Sequence, residues 1–391
     1  MARALGRVVV LGTGGTIAGT AASATDNVGY AAAQRSVQSL LAAVPALGRF
    51  DIEAEQVAQV DSKDMEHAIW AALARRCAAH LARPEVAGLV VTHGTDTLEE
   101  TAWLLHRVLG HDGGPAKPVV LTAAMRPATS LQADGPQNLL DAVTVAAAPG
   151  ARGVVVSLAG QVWAGAEVRK VHTWRLEAFA AGDAGPVALL REGRIETLRP
   201  WPQARALGQG GVDEEMTGGG AHGLGPEGGH AGRHPDGHDG GHEGVHDGGH
   251  EGGHEGVHEG GSDDVVPAAA PAWPAAPAPA DLPDADDDWP WVEIVTSHGG
   301  ARPRAVEGWC AAGVRGLVVA ATGNGTVHAA LESALAAATQ RGVPVLRASR
   351  CAAGGIVPAQ GTGTVLLESA RHLTPAQARV ELMLRLLARR R

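Results

Sequence analysis

Two threonine-rich segments near the N-terminus carry residue types that can do covalent chemistry. Val8–Thr20 reads VVVLGTGGTIAGT, and Val90–Thr101 reads VVTHGTDTLEET. A hydroxyl attacks a carbonyl carbon when a neighbouring group takes its proton, so a threonine in a polar turn is a candidate for such chemistry. Glycines in the same turn let the backbone approach a small ligand and supply N–H donors. The two segments therefore raise the hypothesis of hydroxyl chemistry at Thr16 and Thr95.

The glycines of the first segment could also form a phosphate-binding loop, in which the backbone approaches the phosphate and donates N–H hydrogen bonds to it. A dinucleotide-binding fingerprint needs a third glycine where this chain has Ile17. A Walker A loop needs a lysine, whereas the first lysine of the chain is Lys63. Both phosphate-binding interpretations are therefore disfavoured. What remains is a tight turn between a strand and a helix, with Gly15 and Thr16 inside it.

Three more polar segments follow stretches with strand character. Each has an ordinary alternative, since a serine or threonine before a helix often only caps it, acidic residues in a first turn favour the helix dipole, and a single lysine is usually solvated. Because the carboxyl ends of parallel strands lie at one edge of a sheet, five such segments together favour a binding site. The three segments are VDSKDM with Ser62 and Lys63, LTAAMRP with Ala124, and GAEVRKVHT with Lys170.

The order of the hydrophobic patterns predicts an α/β fold. Short β-branched runs alternate with longer segments whose apolar residues recur at helical spacing. This alternation predicts a parallel sheet covered by helices on both faces, with a ligand site beyond the carboxyl ends of its strands. The predicted strands are Val8–Leu11, Gly88–Thr92, Pro118–Thr122 and Gly153–Leu158, and the predicted helices are Ser36–Leu47, Asp64–Leu81, Leu98–Leu109 and Pro136–Ala147.

The same pattern resumes after a low-complexity interval and predicts a second, smaller α/β domain. We therefore expect an N-terminal catalytic domain over residues 1–200, a linker over 201–290 and a C-terminal α/β domain over 291–391. In the second domain the predicted strands are Trp291–Val295, Gly316–Ala321 and Pro344–Ala348, and the predicted helices are Arg304–Ala312, Val327–Gln340 and Thr374–Arg389.

The linker is rich in His, Gly, Pro and Asp. It contains almost no apolar residues in its histidine repeat, and a Pro/Ala run (266–280) and an acidic run (284–288) follow, so we expect disorder across it. Imidazoles interleaved with carboxylates suit Ni²⁺ or Zn²⁺; the alternative is expansion of a short repeat in a linker that tolerates length. Histidine recurs there at every fourth position, at His230, His234, His238, His242, His246, His250, His254 and His258.

Charge and composition exclude several classes of protein. The net charge is −10, but 18 acidic residues against one arginine lie between positions 206 and 290, so the rest of the chain is mildly basic. Basic residues do not cluster with aromatics as in a nucleic-acid groove, and no apolar run approaches the ~20 residues of a membrane span. The three scattered cysteines and the absence of a signal-peptide pattern lead us to expect a cytoplasmic protein with reduced thiols.

The five polar segments together resemble the bacterial L-asparaginase and glutaminase-asparaginase family. GTGGTIAG, THGTDT with its EET continuation, the S-x-D-M segment and AMRP with the later DGP (134–136) occur in the family's order, as does the lysine loop. GNGT and ASRCAAGG in the second domain extend the resemblance, which covers roughly residues 7–200 and 292–390. The resemblance implies hydrolysis of the side-chain amide of L-asparagine through a β-aspartyl enzyme ester, with L-glutamine as a secondary substrate. It also implies a homo-oligomer, either a dimer or a tetramer.

The resemblance assigns roles to particular residues. Thr16 is implied as the nucleophile with Tyr30 as its assistant, from a small-residue segment that looks like a mobile lid. Thr95, Asp96 and Lys170 are implied to form a second catalytic set. Which threonine attacks first stays open. Substrate binding is implied for Ser62 and Asp96, which hold the α-carboxylate and the α-ammonium, with further contacts from Gly15, Gly94, Ala124 and Lys63.

Two other functions remain as alternatives. One is an amidase acting on a larger amide, and the other is a metal-sequestering protein that uses the histidine repeat. The presence of both threonines together with Lys170 favours the hydrolase. The threonine mechanism requires no metal or organic cofactor, so none is expected, and any metal binding by the linker is expected to be incidental to catalysis.

Overall fold

Two β-sheets organise the chain in the computed structural model, which describes residues 6–110, 116–202, 274–357 and 367–390. The larger sheet has eight strands, the smaller has four, and a separate ribbon has two. In chain order the strands are β1 Arg7–Gly14, β2 Ile52–Val60, β3 Val86–Thr92, β4 Val119–Thr122, β5 Val154–Leu158, β6 Gln161–Ala164, β7 Arg169–Lys170, β8 Phe179–Ala180, β9 Ala188–Arg191, β10 Arg194–Thr197, β11 Val292–Thr296, β12 Gly316–Ala321, β13 Val345–Ser349 and β14 Glu368–Ser369.

The described residues also contain α-helices at all seven predicted places. Only the first differs clearly in length: α1 ends at Ala42, and Pro45 begins a separate 3-10 helix, because a proline cannot donate the hydrogen bond that a continuing helix needs. None of the described helices is both long and apolar enough to cross a membrane. The helices are α1 Val37–Ala42, α2 His67–Leu81, α3 Leu98–Val108, α4 Gly135–Ala146, α5 Arg304–Ala311, α6 Ala329–Gln340 and α7 Pro375–Ala388.

The larger sheet has the strand order β10-β9-β6-β5-β4-β3-β1-β2. Its strands from β2 to β5 are parallel, whereas β6, β9 and β10 pair antiparallel. The chain leaves β1 for β2 on one side and returns to β3 on the other. The carboxyl ends of β1 and β3 are therefore a switch point, where open α/β sheets bind ligands.

Alternating side chains of the parallel strands build the cores on both faces of this sheet. Val9 and Leu11 of β1 pack with α2 and α3, while Val8 and Val10 pack with α1 and α4. This alternation follows from the two-residue period of a strand. The prediction of a two-domain α/β fold with a large N-terminal parallel sheet is confirmed. The antiparallel strands, the ribbon β7-β8 and β14 were not predicted, because strands of two to four residues give too short a pattern. The predicted strands also lack β2, an edge strand in which Glu and Gln interrupt the apolar residues, so that it has no continuous β-branched run.

Residues 274–290, which we term the strap, are ordered, and this corrects the expectation of disorder up to residue 290. Leu282 of the strap is buried in the core that contains α2 and α3. Asp286 accepts hydrogen bonds from the backbone N–H groups of His67 (2.6 Å) and Ala68 (3.1 Å) at the start of α2. The strap therefore packs along α2 and caps it. Its sequence did not indicate this, because its few buried apolar residues are separated by Pro, Ala and Asp.

Helix α7 joins the smaller sheet to the larger one, since it packs on α3 and on β11, β12 and β13. Glu381 of α7 is fully buried and accepts hydrogen bonds from Nε of Arg107 on α3 (2.7 Å) and from Nε of Arg385 (3.0 Å). Burial raises the pKa of the Glu381 carboxyl, while both guanidinium groups oppose that shift. A buried carboxylate that loses its partner is strongly destabilising, so this contact fixes α7 against α3.

Replacing Leu282 by alanine tests whether the strap is part of the fold. Leu282 is 3% exposed, so Leu282→Ala is expected to lower the free energy of unfolding by about 2 to 5 kcal/mol through lost burial and a new cavity. Leu198 is 49% exposed, so Leu198→Ala serves as the control, with an expected change within about 0.5 kcal/mol. Urea unfolding of both variants measures the difference; equal midpoints would show that the strap does not stabilise the fold.

Candidate active site

Three loops touch at the carboxyl ends of β1, β2 and β3, and glycines permit the contact. A Cβ on Gly15 would lie 2.3 Å from the backbone nitrogen of Gly94, and a Cβ on Gly94 would lie 2.4 Å from Oγ of Ser62. Both distances are far below van der Waals contact, so only glycine fits at either position. Gly15 also has a φ of 80°, in the left-handed region that glycine adopts readily. The contact brings Thr16 and Thr95, which follow these glycines, to one place.

Ser62 is buried in the 3-10 turn Ser62–Asp64 that follows β2. Its Oγ accepts a hydrogen bond from the backbone N–H of Asp96 (3.2 Å), and its carbonyl oxygen accepts one from the hydroxyl of Thr97 (2.8 Å). The alternative that Ser62 merely caps a helix is wrong, because α2 has Glu66 at its N-cap. Ser62 instead links the β2 loop to the β3 loop, and its hydroxyl proton remains available to a ligand.

Thr16 lies directly after Gly15, at the start of the 3-10 turn Thr16–Ala18, and is buried. Its Oγ1 lies 2.7 Å from the hydroxyl oxygen of Tyr30, and either group can be the donor. Tyr30 comes from a loop that is closed by two backbone hydrogen bonds between Thr20 and Ala31, each 2.9 Å long. The loop that follows β1 therefore folds back and sets a phenol oxygen beside the Thr16 hydroxyl.

Lys170 reaches Thr95 from the two-residue strand β7. Its Nζ donates hydrogen bonds to Oγ1 of Thr95 (2.8 Å) and to Oδ1 of Asp96 (2.6 Å). The lysine side chain is 20% exposed and that of Asp96 is 56% exposed, so the amine is sheltered while the carboxylate also faces solvent. Helix α3 has Thr97 at its N-cap. Capping by Thr95 or Asp96, the ordinary alternative, is therefore wrong, and both side chains contact the lysine.

Glu99, in the first turn of α3, belongs to the same cluster, although its sequence context suggested only a favourable helix dipole. Its carboxylate accepts hydrogen bonds from the backbone N–H of Lys170 (2.7 Å) and from the hydroxyl of Thr374 (3.0 Å). Burial raises the pKa of Glu99, and the two hydrogen bonds oppose this shift. The sequence reveals no such role because both partners lie far away along the chain.

His93 supports the Thr95 loop from within the core. It is fully buried, with Nδ1 2.7 Å from the Gly94 carbonyl oxygen and Nε2 2.9 Å from the Thr101 hydroxyl. The Gly94 carbonyl oxygen can only accept a hydrogen bond, so Nδ1 carries the imidazole proton. Nε2 therefore accepts the proton of the Thr101 hydroxyl, whose oxygen in turn accepts one from the Trp70 indole (2.8 Å). Burial lowers the pKa of His93 to about 4, which favours this neutral form.

Ala124 is buried in the loop that follows β4, and the carboxylate of Asp134, the N-cap residue of α4, shapes this loop. Asp134 accepts hydrogen bonds from the backbone N–H groups of Met125 (3.0 Å) and Arg126 (2.9 Å). The guanidinium of Arg126 lies 4.1 Å from the ring centroid of Trp174 and donates to the Trp174 carbonyl oxygen (3.0 Å). These contacts connect the Ala124 loop to the residues just beyond Lys170.

Some backbone N–H groups near Thr16 and Thr95 donate hydrogen bonds within the protein, and others do not. The N–H of Gly15 donates to the Val60 carbonyl oxygen at 2.8 Å, so the predicted contact of Gly15 with a substrate does not come from this group. The N–H groups of Thr16 and Thr95 donate no hydrogen bond to any residue that the structure describes. They can therefore donate to a ligand bound between the threonines.

Lys63 lies apart from the cluster. Its side chain is 62% exposed and pairs with neighbouring Asp64. With Glu100 and Arg379 it lines a separate cleft of about 500 Å³. The Lys63 side chain therefore extends to Asp64 and the separate cleft, and the structure does not bring it to Thr16 or Thr95.

The predicted metal ligands of the linker, His230 to His258, lie outside the described residues. Among residues 6–110, 116–202, 274–357 and 367–390, no three His, Cys, Asp or Glu side chains are grouped so that they could hold a metal ion. The groups around the two threonines are the hydroxyls of Thr16, Tyr30 and Thr95, the amine of Lys170 and the carboxylates of Asp96 and Glu99. Together they can carry out nucleophilic attack and proton transfer.

Family models match both folded parts of the chain. The model described as "Asparaginase, N-terminal" covers residues 7–203, and the "Glutaminase/Asparaginase C-terminal domain" covers residues 291–390. The chain belongs to the asparaginase family. The loops that carry Thr16, Ser62, Thr95 and Lys170 all lie within the first match.

Relatives of this asparaginase-family chain match over most of its length. The glutaminase-asparaginase of Pseudomonas fluorescens biotype A is 31% identical over 90% of this chain and 78% of that protein. L-asparaginase 2 of Bacillus subtilis is 29% identical over 98% of this chain and 83% of that protein. The crystal structure of a probable cytoplasmic L-asparaginase from Campylobacter jejuni has 28% sequence identity and a TM-score of 0.72, and the match covers 97% of this chain and 95% of that one.

An alanine at Gly94 tests the contact between the loops of this asparaginase-family chain. Gly94→Ala would force the β2 and β3 loops apart, so we expect activity to fall by about 10²-fold and the free energy of unfolding to fall by about 1 to 3 kcal/mol. Gly308, in α5, has nothing within 4 Å of its Cβ position, so Gly308→Ala is the matched control. The control should keep activity and gain about 0.5 to 1 kcal/mol. Full activity in Gly94→Ala would contradict the close contact.

Proposed function

We propose that this enzyme hydrolyses the side-chain amide of L-asparagine to L-aspartate and ammonia, and that of L-glutamine more slowly. The observation that carries the proposal is the pair of threonine hydroxyls at adjacent strand ends. The Thr16 hydroxyl is hydrogen-bonded to the phenol of Tyr30, and the Thr95 hydroxyl is hydrogen-bonded to the amine of Lys170. Each hydroxyl therefore has a partner for proton transfer. Relatives named L-asparaginase and glutaminase-asparaginase support the same reaction.

In the first half of the reaction, Thr16 Oγ1 attacks the amide carbon of the substrate. The hydroxyl proton passes to the Tyr30 oxygen, 2.7 Å away, while the phenol gives its own proton to the amide nitrogen and the carbonyl oxygen becomes an oxyanion. The N–H groups of Thr16 and Thr95 are suited to stabilise that oxyanion, an effect worth about 3 kcal/mol per donor in comparable sites. The carbon–nitrogen bond then breaks, ammonia leaves with the transferred proton, and a β-aspartyl ester remains on Thr16.

In the second half, water hydrolyses the ester. Thr95 Oγ1 and Lys170 Nζ lie at a distance suited to proton transfer, so Thr95 takes a proton from the attacking water and passes its own hydroxyl proton to the neutral amine of Lys170. The ester carbon–oxygen bond breaks, the proton held by Lys170 is returned to the Thr16 oxygen, and L-aspartate is released. Asp96 accepts a hydrogen bond from the same amine and holds Lys170 in place. No step requires a metal or an organic cofactor.

Ser62 and Asp96 are suited to hold the amino-acid end of the substrate. The Ser62 hydroxyl can donate to the α-carboxylate, while the Asp96 carboxylate, 56% exposed, can pair with the α-ammonium. Gly94 and Ala124 leave room for the substrate because they have little or no side chain. Asparagine and glutamine differ by one methylene, which fit alone distinguishes by only about 1 to 3 kcal/mol, so activity on both is expected.

We further propose a cytoplasmic homo-oligomer, either a dimer or a tetramer. Val28, Leu131, Val171 and Trp174 are exposed apolar side chains on the loops around Tyr30 and Lys170, as expected for a surface that a second copy covers. The described cysteines are unpaired, which is ordinary in a reducing compartment. Light scattering measures the mass of the oligomer, and fractionation of the native cells measures the compartment.

Ammonia release by the purified protein tests the proposed reaction. We expect turnover of L-asparagine that falls by at least about 10³-fold in Thr16→Ala and partly returns in Thr16→Ser, because serine restores the hydroxyl. Thr95→Val should slow ester hydrolysis, so mass spectrometry should find one aspartyl group on Thr16 in that variant. An aspartyl ester on Thr95 of the Thr16→Ala variant would reverse the order of attack. No ammonia from either amino acid would reject the proposal and favour a larger amide.

Removal of the histidine repeat tests the proposed metal binding by the linker. We propose that the eight histidines bind Ni²⁺ or Zn²⁺ and that catalysis does not depend on this binding. A variant lacking residues 206–272 keeps the strap, so it should lose Ni²⁺ binding in calorimetry while retaining ammonia release. Unchanged Ni²⁺ binding would show that the repeat is not the metal site, and lost turnover would connect the linker to catalysis.

A further inference from the structure

The catalytic lysine lies on an element that cannot hold itself in place. The ribbon β7-β8 contains two residue pairs, Arg169 with Ala180 and Lys170 with Phe179. An isolated two-stranded ribbon is marginal in water even when it is longer than this one. The position of Lys170 must therefore be set by contacts from outside the ribbon.

We infer that the N-terminus of α7 positions Lys170 through Glu99, so that Glu99, Thr374 and Gln377 are positioning residues of the active site. This inference rests on the proposed role of Lys170 in amide hydrolysis. It gives the C-terminal domain a part in catalysis within a single subunit, although none of these three residues contacts Thr95 or Thr16.

The first contact runs through Glu99. One carboxylate oxygen accepts the backbone N–H of Lys170 at 2.7 Å, and the other accepts the Thr374 hydroxyl at 3.0 Å. Glu99 is also in the first turn of α3, three residues after Asp96. The same carboxylate therefore joins the Thr95 loop, the lysine ribbon and the start of α7.

The second contact runs through Gln377, which is fully buried. Its Nε2 donates to the Val168 carbonyl oxygen at 3.1 Å, two residues before Lys170. Thr374 and Gln377 also form a reciprocal capping box, in which each side chain bonds the other residue's backbone N–H at 3.1 Å. The capping box already orients both side chains. The further hydrogen bonds from Thr374 to Glu99 and from Gln377 to Val168 therefore form with little additional loss of side-chain conformational entropy.

The register of α7 on α3 keeps these contacts together. Thr374 meets Glu99 near the start of both helices, and Glu381 meets Arg107 further along both. The two helices therefore run side by side in the same direction. Because the pair between Glu381 and Arg107 is buried, α7 cannot slide without breaking it, and Thr374 and Gln377 stay level with the ribbon.

Replacement of Thr374 tests the inference with a matched control. Thr374→Val removes the bond to Glu99 and the helix cap, while Thr374→Ser keeps both. His328 is the N-cap of α6 in the same part of the chain, where its side chain accepts from the Ala330 N–H, so His328→Ala removes a cap that has no connection to Lys170. We expect kcat for asparagine to fall about 10-fold to 100-fold in Thr374→Val, and to stay near the unsubstituted value in Thr374→Ser and His328→Ala.

A second measurement reports the position of Lys170 without using activity. The chain has three lysines, Lys63, Lys117 and Lys170, so acetylation of each by acetic anhydride can be followed by mass spectrometry. In Thr374→Val, labelling of Lys170 should rise by about threefold to tenfold, as expected when one hydrogen bond is lost, while labelling of exposed Lys63 stays constant. The serine variant and His328→Ala should label like the unsubstituted chain.

The outcomes separate the inference from the proposed reaction. Unchanged labelling of Lys170 in Thr374→Val, or equal loss of kcat in His328→Ala, would overturn the inference, because the effect would then be absent or merely structural. Increased labelling in a protein that releases no ammonia would keep the positioning contact and reject the proposed function. A double variant with Glu99→Gln should lose less kcat than the product of the single losses, since both changes break one chain of contacts.

Discussion

The absence of a Cβ at Gly15 and Gly94 is the constraint on which the site depends. Each of these glycines lies against the backbone or side chain of another loop at a distance that no alanine permits. The loop after β1 therefore packs backbone to backbone on the loop after β3, and Gly94 of the β3 loop lies against the Ser62 side chain of the β2 loop. The sheet supplies adjacent strand ends, and the glycines let the loops that carry Thr16 and Thr95 touch.

The other side chains of the candidate site come from distant parts of the sequence, and buried hydrogen bonds hold them around this contact. The neutral imidazole of His93 fixes the β3 loop from the core side, and Asp134 gives the β4 loop its turn. The lysine arrives on a ribbon too short to be stable alone and is held by Glu99. The second sheet contributes through α7, whose buried Glu381 ties it to α3. The side chains of the candidate site therefore lie on loops and on a two-residue strand, and the longer helices and strands behind them hold them in position.

The sequence predicted the parts of this arrangement that depend on local pattern. Parallel strands and helices follow from hydrophobic periodicity, and the polar segments at the strand ends indicate Thr16, Ser62 and Thr95 as candidate site residues. Bonds between distant residues could not be predicted this way: the carboxylate of Glu99 looks like any acidic first turn, and the strap looks like disordered chain because Leu282 is isolated among Pro, Ala and Asp. Lys63 shows the converse error, since closeness in sequence to Ser62 did not bring its side chain to the site.

The bond between Tyr30 and Thr16 has a consequence for spectroscopy. Tyr30 is the only tyrosine in the chain, and its hydroxyl lies 2.7 Å from Thr16 Oγ1. A protein grown with fluorotyrosine would therefore give one fluorine resonance, and that resonance would report on the hydrogen bond between Tyr30 and Thr16. Opening of the Tyr30 loop and any chemical change at the Thr16 hydroxyl could each be followed at that nucleus without an engineered label.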